Sequence, residues 1–146
     1  MAAQRTAEVI WEGDLVKGTG KITSVGSGAF SDLPVTWASR TEEPNGKTSP
    51  EELLAAAHAS CFAMALSATL GRNNTPPEKL DVKAVSTFDR VGQGWKVVSM
   101  ELSVRGKVPG LDESKFLELA KTAESGCPIS NALRNNVVIK LSANLE

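Results

Sequence analysis

Two residues of this chain of 146 amino acids carry thiols, Cys61 and Cys127, and they stand in unlike settings. Cys61 lies inside the run LLAAAHASCFAMALSATL (53–70). A thiol there is most often a small core hydrophobe. Cys127 precedes Pro128, where a helix is expected to begin. Its sulfur would face free backbone N–H groups and the positive end of that helix, and both favour thiolate. The plainer reading of Cys127 is a capping residue. A bridge between the two would close about 66 residues and stabilise the fold by about 4 kcal/mol in the chain-entropy picture. In a cytosolic protein a transient catalytic or sensing bridge is the more usual arrangement. His58 is three residues before Cys61 and shares its helix face, as a Cys–His nucleophile pair would require. Cys61, Cys127, His58 and a carboxylate would be a zinc set, but their spacing matches no common zinc pattern, so neither metal nor cofactor is expected. A hydrogen-bonded core histidine is the simpler role.

These residues need elements to hold them. Ala7, Val9 and Trp11 alternate as in a strand, and glycines at 13, 18, 20, 26 and 28 punctuate the segment as turns. Val35, Trp37 and Ser39 suggest a third strand that ends at Arg40, just before the polar loop TEEPNGKT (41–48). The simplest reading of Arg40 is a surface side chain. A helix then starts, with Ser49 as N-cap, Pro50 at N1 and Glu52 at N3 of a capping box. Glu51 is left for another partner. The helix reaches about Leu70 and is apolar nearly all round, so it must be buried on all sides. A chain this small has few elements to surround it, and a second subunit is expected to help. Residues 80–90 and 95–108 read as a hairpin turning at Val91-Gly92-Gln93-Gly94. Asp112 caps a second helix that ends with Gly126 as C′, with Leu111 and Phe116 at its hydrophobic-staple positions. A short helix, ISNALRN, follows Cys127-Pro128, and Val137 to Leu141 form a last strand. The expected class is α+β, with antiparallel strands packed around a long buried central helix. Residues 1–146 are read as a single domain.

Composition narrows the function. Hydrophobic residues make up 41% of the chain, and 16 Lys+Arg against 17 Asp+Glu leave a net charge of −1. That balance gives no electrostatic footprint for nucleic acid or for an acidic membrane surface. Aromatics are 5% with no tyrosine, which disfavours base stacking. The first residues lack an apolar signal-peptide core, so a cytoplasmic location is expected. The alanine-rich 53–70 run is interrupted by His58, Ser60 and Ser67 and reads as a core helix rather than a membrane span. Gly26-Ser27-Gly28 does not open a helix and is no nucleotide loop.

Two motifs carry a resemblance. Ser49-Pro50-Glu51-Glu52-Leu53 through Ala57-His58-Ala59-Ser60-Cys61-Phe62 is similar to a Pro-Glu-(Glu/Gln)-Leu, eight-residue gap, Cys-Phe pattern. Gly126-Cys127-Pro128-Ile129-Ser130 is similar to a Cys-Pro-x-Ser pattern. Both belong to the OsmC/Ohr family of thiol-dependent hydroperoxide reductases, which the chain resembles over nearly its whole length. The Ala-His-Ala-x-Cys context resembles the OsmC branch. The resemblance implies an intertwined homodimer with two active sites at its interface. It assigns Cys61 as the peroxidatic and Cys127 as the resolving cysteine, and Glu51 as the carboxylate that holds a catalytic arginine. Arg40, by its place before the loop, matches that arginine. The resemblance also implies organic hydroperoxides, and hydrogen peroxide, as substrates. It implies a dithiol reductant such as dihydrolipoamide or a lipoylated protein.

Physical chemistry makes these assignments intelligible. A peroxide offers no charge to grip, so its reduction needs a thiolate and a stabilised leaving alkoxide. Burial opposes the thiolate, and a guanidinium beside Cys61 would offset that cost while donating hydrogen bonds to the peroxide oxygens. Ten residues of helix between Glu51 and Cys61 span about 15 Å and turn the two side chains roughly 80° apart. The second subunit's Glu51 is therefore the expected partner. An apolar pocket beside Cys61, lined by Phe62 and Met64, would favour organic substrates. The competing readings are a peroxide-responsive sensor or binding module using the same pair without fast turnover, and a structural protein with inert thiols.

Overall fold

The computed structural model describes residues 1–146. They form two compact units, Met1–Leu53 and Leu54–Glu146. The first unit holds β1 (Ala7–Glu12), β2 (Thr19–Val25) and β3 (Ser31–Val35) in one antiparallel sheet of that order. The β1–β2 turn is built on Gly13, whose φ of 90° suits glycine, and on Asp14, whose carboxylate accepts from the amides of Val16 and Lys17. Val9, Ile10 and Val16 leave much of this unit's apolar surface open in the single chain.

The third strand ends earlier than its alternation suggested. Residues Trp37–Thr41 form a short helix, α1, rather than the end of a strand. The cause is a capping box. The Thr36 hydroxyl accepts from the Ser39 amide at 3.0 Å, and the Ser39 hydroxyl accepts from the Thr36 amide at 3.0 Å. Arg40 consequently sits in the last turn of α1.

Helix α2 (Pro50–Arg72) starts in the first unit and runs through the second. Ser49 accepts from the Glu52 amide as expected, but the Glu52 carboxylate takes the Thr48 hydroxyl at 2.7 Å instead of closing the box. The second unit continues with β4 (Lys79–Val91), β5 (Gly94–Lys107), α3 (Glu113–Gly126), α4 (Pro128–Leu133) and β6 (Val138–Leu145). β4 and β5 form the expected hairpin. β6 joins β5 in parallel, not antiparallel. The reason is the crossover through α3 and α4, which returns the chain to the starting end of β5.

The core of this unit is built from one stripe of α2 (Phe62, Leu66, Leu70), the inward residues of β5 (Leu102, Val104) and the apolar face of α3 (Phe116, Ala120, Ala123). Each large side chain buried there is worth about 1.5–3 kcal/mol. Gly106 on β5 lets Phe116 lie directly on the strand, since a Cβ there would stand 2.6 Å from the ring. By length and hydropathy α2 could cross a membrane, but here it supplies the core stripe of a mixed α+β unit. It is not covered on all sides within one chain. Ala56, Ala57, Ser60, Met64 and Ala68 are exposed.

Candidate active site

Cys61 lies in the middle of α2, and Cys127 lies between α3 and α4. Both thiols are free. The Cys127 Sγ is 3.3 Å from the Cys61 Sγ, and Cys127 is fully buried while Cys61 is half-buried. The chain reaches this geometry because α3 stops at Gly126. That glycine is the last helical residue, not a left-handed C′. Helix α3 ends because Cys127, with ψ 121°, is extended as a residue before proline must be. Pro128 then opens α4.

The start of α4 serves the other cysteine. Cys127 makes no side-chain cap to α4. Its sulfur points to Cys61, and the backbone amide of Ile129 lies where it favours a Cys61 thiolate. Burial pushes the Cys61 thiol up, the Ile129 amide opposes that, and the neighbouring Cys127 adds to the rise. Within its own unit Cys61 thus stays a thiol at neutral pH.

His58, one helical turn before Cys61, has no exposed surface. Its Nε2 is 2.7 Å from the Ser130 Oγ, and Ser130 is likewise fully buried. The His58 Nδ1 has no hydrogen-bond partner. Burial lowers the imidazole's pKa, with a smaller opposing pull from Glu124. The ring is therefore a neutral, hydrogen-bonded core histidine. No three His, Cys, Asp or Glu side chains converge to hold a metal ion.

Cys61 opens onto an apolar groove of about 350 Å³, lined by Met64, Ala65, Ala68, Thr69 and Arg72 of α2 and by Thr122, Ala123, Gly126 and Pro128. Met64 is there as expected. Phe62 is not, because it points about 100° away round the helix and is fully buried in the core. The i, i+3, i+4, i+7, i+8, i+11 spacing from Cys61 to Arg72 marks one helix face. Sequence reasoning passed over Thr69 and left Arg72 as one of several arginines that could serve Cys61, although that spacing pointed to both. It also had no signal for the Ile129 amide or for Ser130 as a partner of His58.

Arg40 and Glu51 meet in the first unit. The Arg40 Nε donates to both Glu51 carboxylate oxygens at 3.0 and 3.1 Å, and Nη2 donates to Oε1 at 2.8 Å. Glu51 is buried and Arg40 is part-buried, so this is a forked, partly desolvated pair. The Trp37 ring lies beneath the guanidinium, 5.8 Å from its carbon. An apolar hollow of about 400 Å³ borders it, formed by Trp11, Leu15, Val35, Trp37 and Pro50.

The paired thiols, the helix that carries one of them and the carboxylate-bound arginine are all traits that can be compared with known proteins. The OsmC-like protein family model matches residues 43–142. Peroxiredoxin OsmC of Escherichia coli is 36% identical over 139 residues, covering 95% of this chain and 96% of the relative. Organic hydroperoxide resistance protein OhrB of Bacillus subtilis is 32% identical over 110 residues, covering 75% of this chain and 79% of that protein. Its crystal structure superposes with a TM-score of 0.72 at 27% identity, over 95% of this chain and 98% of the other. With both motifs inside the matched region and the fold shared from end to end, the chain belongs to the OsmC family.

Proposed function

We propose that this protein is a homodimeric thiol peroxidase that reduces organic hydroperoxides, and hydrogen peroxide, in the cytoplasm. The observation that carries the reading is the pair of free thiols with sulfurs 3.3 Å apart, one of them opening onto an apolar groove. The names of the relatives, peroxiredoxin and organic hydroperoxide resistance protein, support the same chemistry. The family model spans the boundary between the two units, which supports one functional domain over 1–146.

In the proposed cycle the Cys61 thiolate attacks the terminal peroxide oxygen. The O–O bond breaks, the alkoxide leaves and takes a proton from water to become the alcohol, and Cys61 becomes a sulfenic acid. Cys127 then attacks the Cys61 sulfur, water leaves and the disulfide forms. A dithiol such as dihydrolipoamide, free or on a lipoylated protein, returns both thiols by exchange and is itself oxidised to its disulfide. Burial opposes the starting thiolate, so a cation is needed. Arg40, held by Glu51, is our candidate, and the ten-residue spacing of Glu51 and Cys61 on α2 favours the pair from the second subunit. The open apolar face of α2 and the exposed Val9, Ile10 and Val16 supply surface for such a partner.

Reduced protein mixed with cumene hydroperoxide and dihydrolipoamide tests this. Rapid peroxide loss, abolished in Cys61→Ser, is the expected result. Thiols that oxidise without turnover would instead indicate a sensor, and inert thiols would end the redox reading.

A further inference from the structure

His58 takes no part in the cycle just described, yet it is fully buried with one ring nitrogen unpartnered. Filling the core does not explain it, because a leucine would fill the space without desolvating a lone polar nitrogen. Acid–base work on the thiols does not explain it either, because neither ring nitrogen hydrogen-bonds a cysteine sulfur: Nε2 is taken by Ser130 and Nδ1 has no partner. What remains is its one short bond, 2.7 Å to Ser130.

That bond has a particular place. His58 precedes Cys61 by three residues on α2, and Ser130 follows Cys127 by three residues in α4. The two helices are therefore joined by two parallel rungs, Sγ to Sγ at 3.3 Å and Nε2 to Oγ at 2.7 Å. Helix α4 has six residues and no side-chain cap at its start, so it has little stability of its own. Its position rests on these links and on Ile129, which packs against the core. We propose that the His58–Ser130 bond is a positioning device for the resolving step, holding α4 on α2 so that Cys127 meets oxidised Cys61. The proposal rests on the peroxidatic reading of Cys61.

In that step the Cys127 thiol attacks the Cys61 sulfur. The S–S bond forms, the Cys61 S–O bond breaks, and the hydroxyl leaves with the thiol proton as water. The sulfurs must close from 3.3 Å to about 2.05 Å, so a small drift of α4 is costly. The Ile129 amide travels on the same helix, so Cys61 oxidation slows somewhat when the rung is lost. The informative quantity is the ratio of the two rates.

The test uses Ser130→Ala, His58→Leu and His58→Gln. Each reduced protein receives one equivalent of cumene hydroperoxide. The sulfenic acid is trapped with dimedone and followed by mass spectrometry against disulfide. Ser130→Ala and His58→Leu are expected to lower the ratio of resolution to oxidation about tenfold. His58→Gln, whose amide nitrogen stands close to where Nε2 was, is expected to recover most of it. An unchanged ratio in Ser130→Ala overturns the proposal. So does a His58→Gln as slow as His58→Leu, because the imidazole would then act chemically. If His58→Leu does not fold, Ser130→Ala and His58→Gln carry the same comparison. Equilibration of Cys61 and Cys127 with dihydrolipoamide gives a readout that needs no peroxide. The disulfide of Ser130→Ala is expected to be more easily reduced than that of the wild type. If the wild type forms no sulfenic acid, the peroxidase reading fails, and an unshifted dithiol midpoint would then overturn the positioning role as well.

Discussion

The Cys127 sulfur is in van der Waals contact with the Cys61 sulfur, 3.3 Å away, with no bond between them and Cys127 wholly out of water. In the proposed cycle the resolving thiol is thus in place before the peroxide arrives. A sulfenic acid formed on Cys61 has its partner at hand, and its lifetime in the intact protein should be short. Cys127→Ser removes that partner and leaves the groove side of Cys61 intact. We expect one fast turnover per Cys61 in this variant, followed by an accumulating sulfenic acid that dimedone captures. Steady-state turnover with a dithiol should fall on the order of a hundredfold or more. Turnover equal to that of the wild type would mean that Cys127 does not resolve.

Arg40 and Glu51 form their own part-buried fork, and the proposed cycle places that fork at the second subunit's Cys61. Subunit mixing tests this directly. Arg40→Ala and Cys61→Ser homodimers should each be nearly inactive. After denaturation and refolding together, half of the dimers are mixed, and each mixed dimer holds one complete site. About a quarter of the wild-type activity should return. If each site is built within one chain, the mixture stays inactive. Glu51→Gln should keep the fold but loosen the guanidinium. Its loss of a charged hydrogen-bond pair corresponds to about 1.5–3 kcal/mol, or roughly a tenfold to hundredfold fall in kcat/KM.

Two buried groups give opposite pH limbs. Burial raises the Cys61 thiol above its ordinary range, so the folded chain holds that proton more tightly than the unfolded chain. Its contribution to stability is present below the ordinary thiol range and is lost as pH rises through the folded value. Burial lowers His58, so the unfolded chain takes its proton more readily. That contribution is present above the ordinary imidazole pKa of about 6.5 and is lost as pH falls toward the folded value. Urea unfolding across pH should show both limbs. Cys61→Ser should flatten the alkaline one, and His58→Gln should flatten the acid one. Activity follows the thiolate. The rate of Cys61 oxidation should climb with pH, and Arg40→Ala should move that profile to higher pH.

Much of the site was legible in the residues themselves. The capped start of α2, the proline after Cys127 and the two cysteine motifs are local signals, and local signals survive folding. Four features were not legible. Thr36-x-x-Ser39 closes a capping box inside what reads as strand alternation, so Arg40 ended on α1 rather than on a strand. The direction of β6 depends on how far α3 and α4 carry the chain, which no residue pattern near β6 encodes. Phe62 neighbours Cys61 in sequence but points about 100° away round the helix, so it belongs to the core rather than to the groove. The His58–Ser130 bond joins residues 72 positions apart, and only the folded chain brings them together.

The groove beside Cys61 is walled by Ala65, Ala68 and Ala123, small residues that leave about 350 Å³ open. Organic hydroperoxides need that space, whereas hydrogen peroxide does not. Filling it should therefore separate the two substrates. Ala68→Phe sits two turns from Cys61 at a position exposed in the single chain, so the chain should fold, and because that face of α2 is also offered to a partner the variant is first checked for dimerisation. It should raise KM for cumene hydroperoxide by about tenfold, the scale of a few lost apolar contacts, and leave the rate with hydrogen peroxide nearly unchanged. Equal losses with both substrates would mean that the variant disturbs Cys61 itself. No loss with either would mean that the bulky substrate approaches from another side, and the hollow of Trp11, Leu15 and Trp37 beside Arg40 would become the surface to block next.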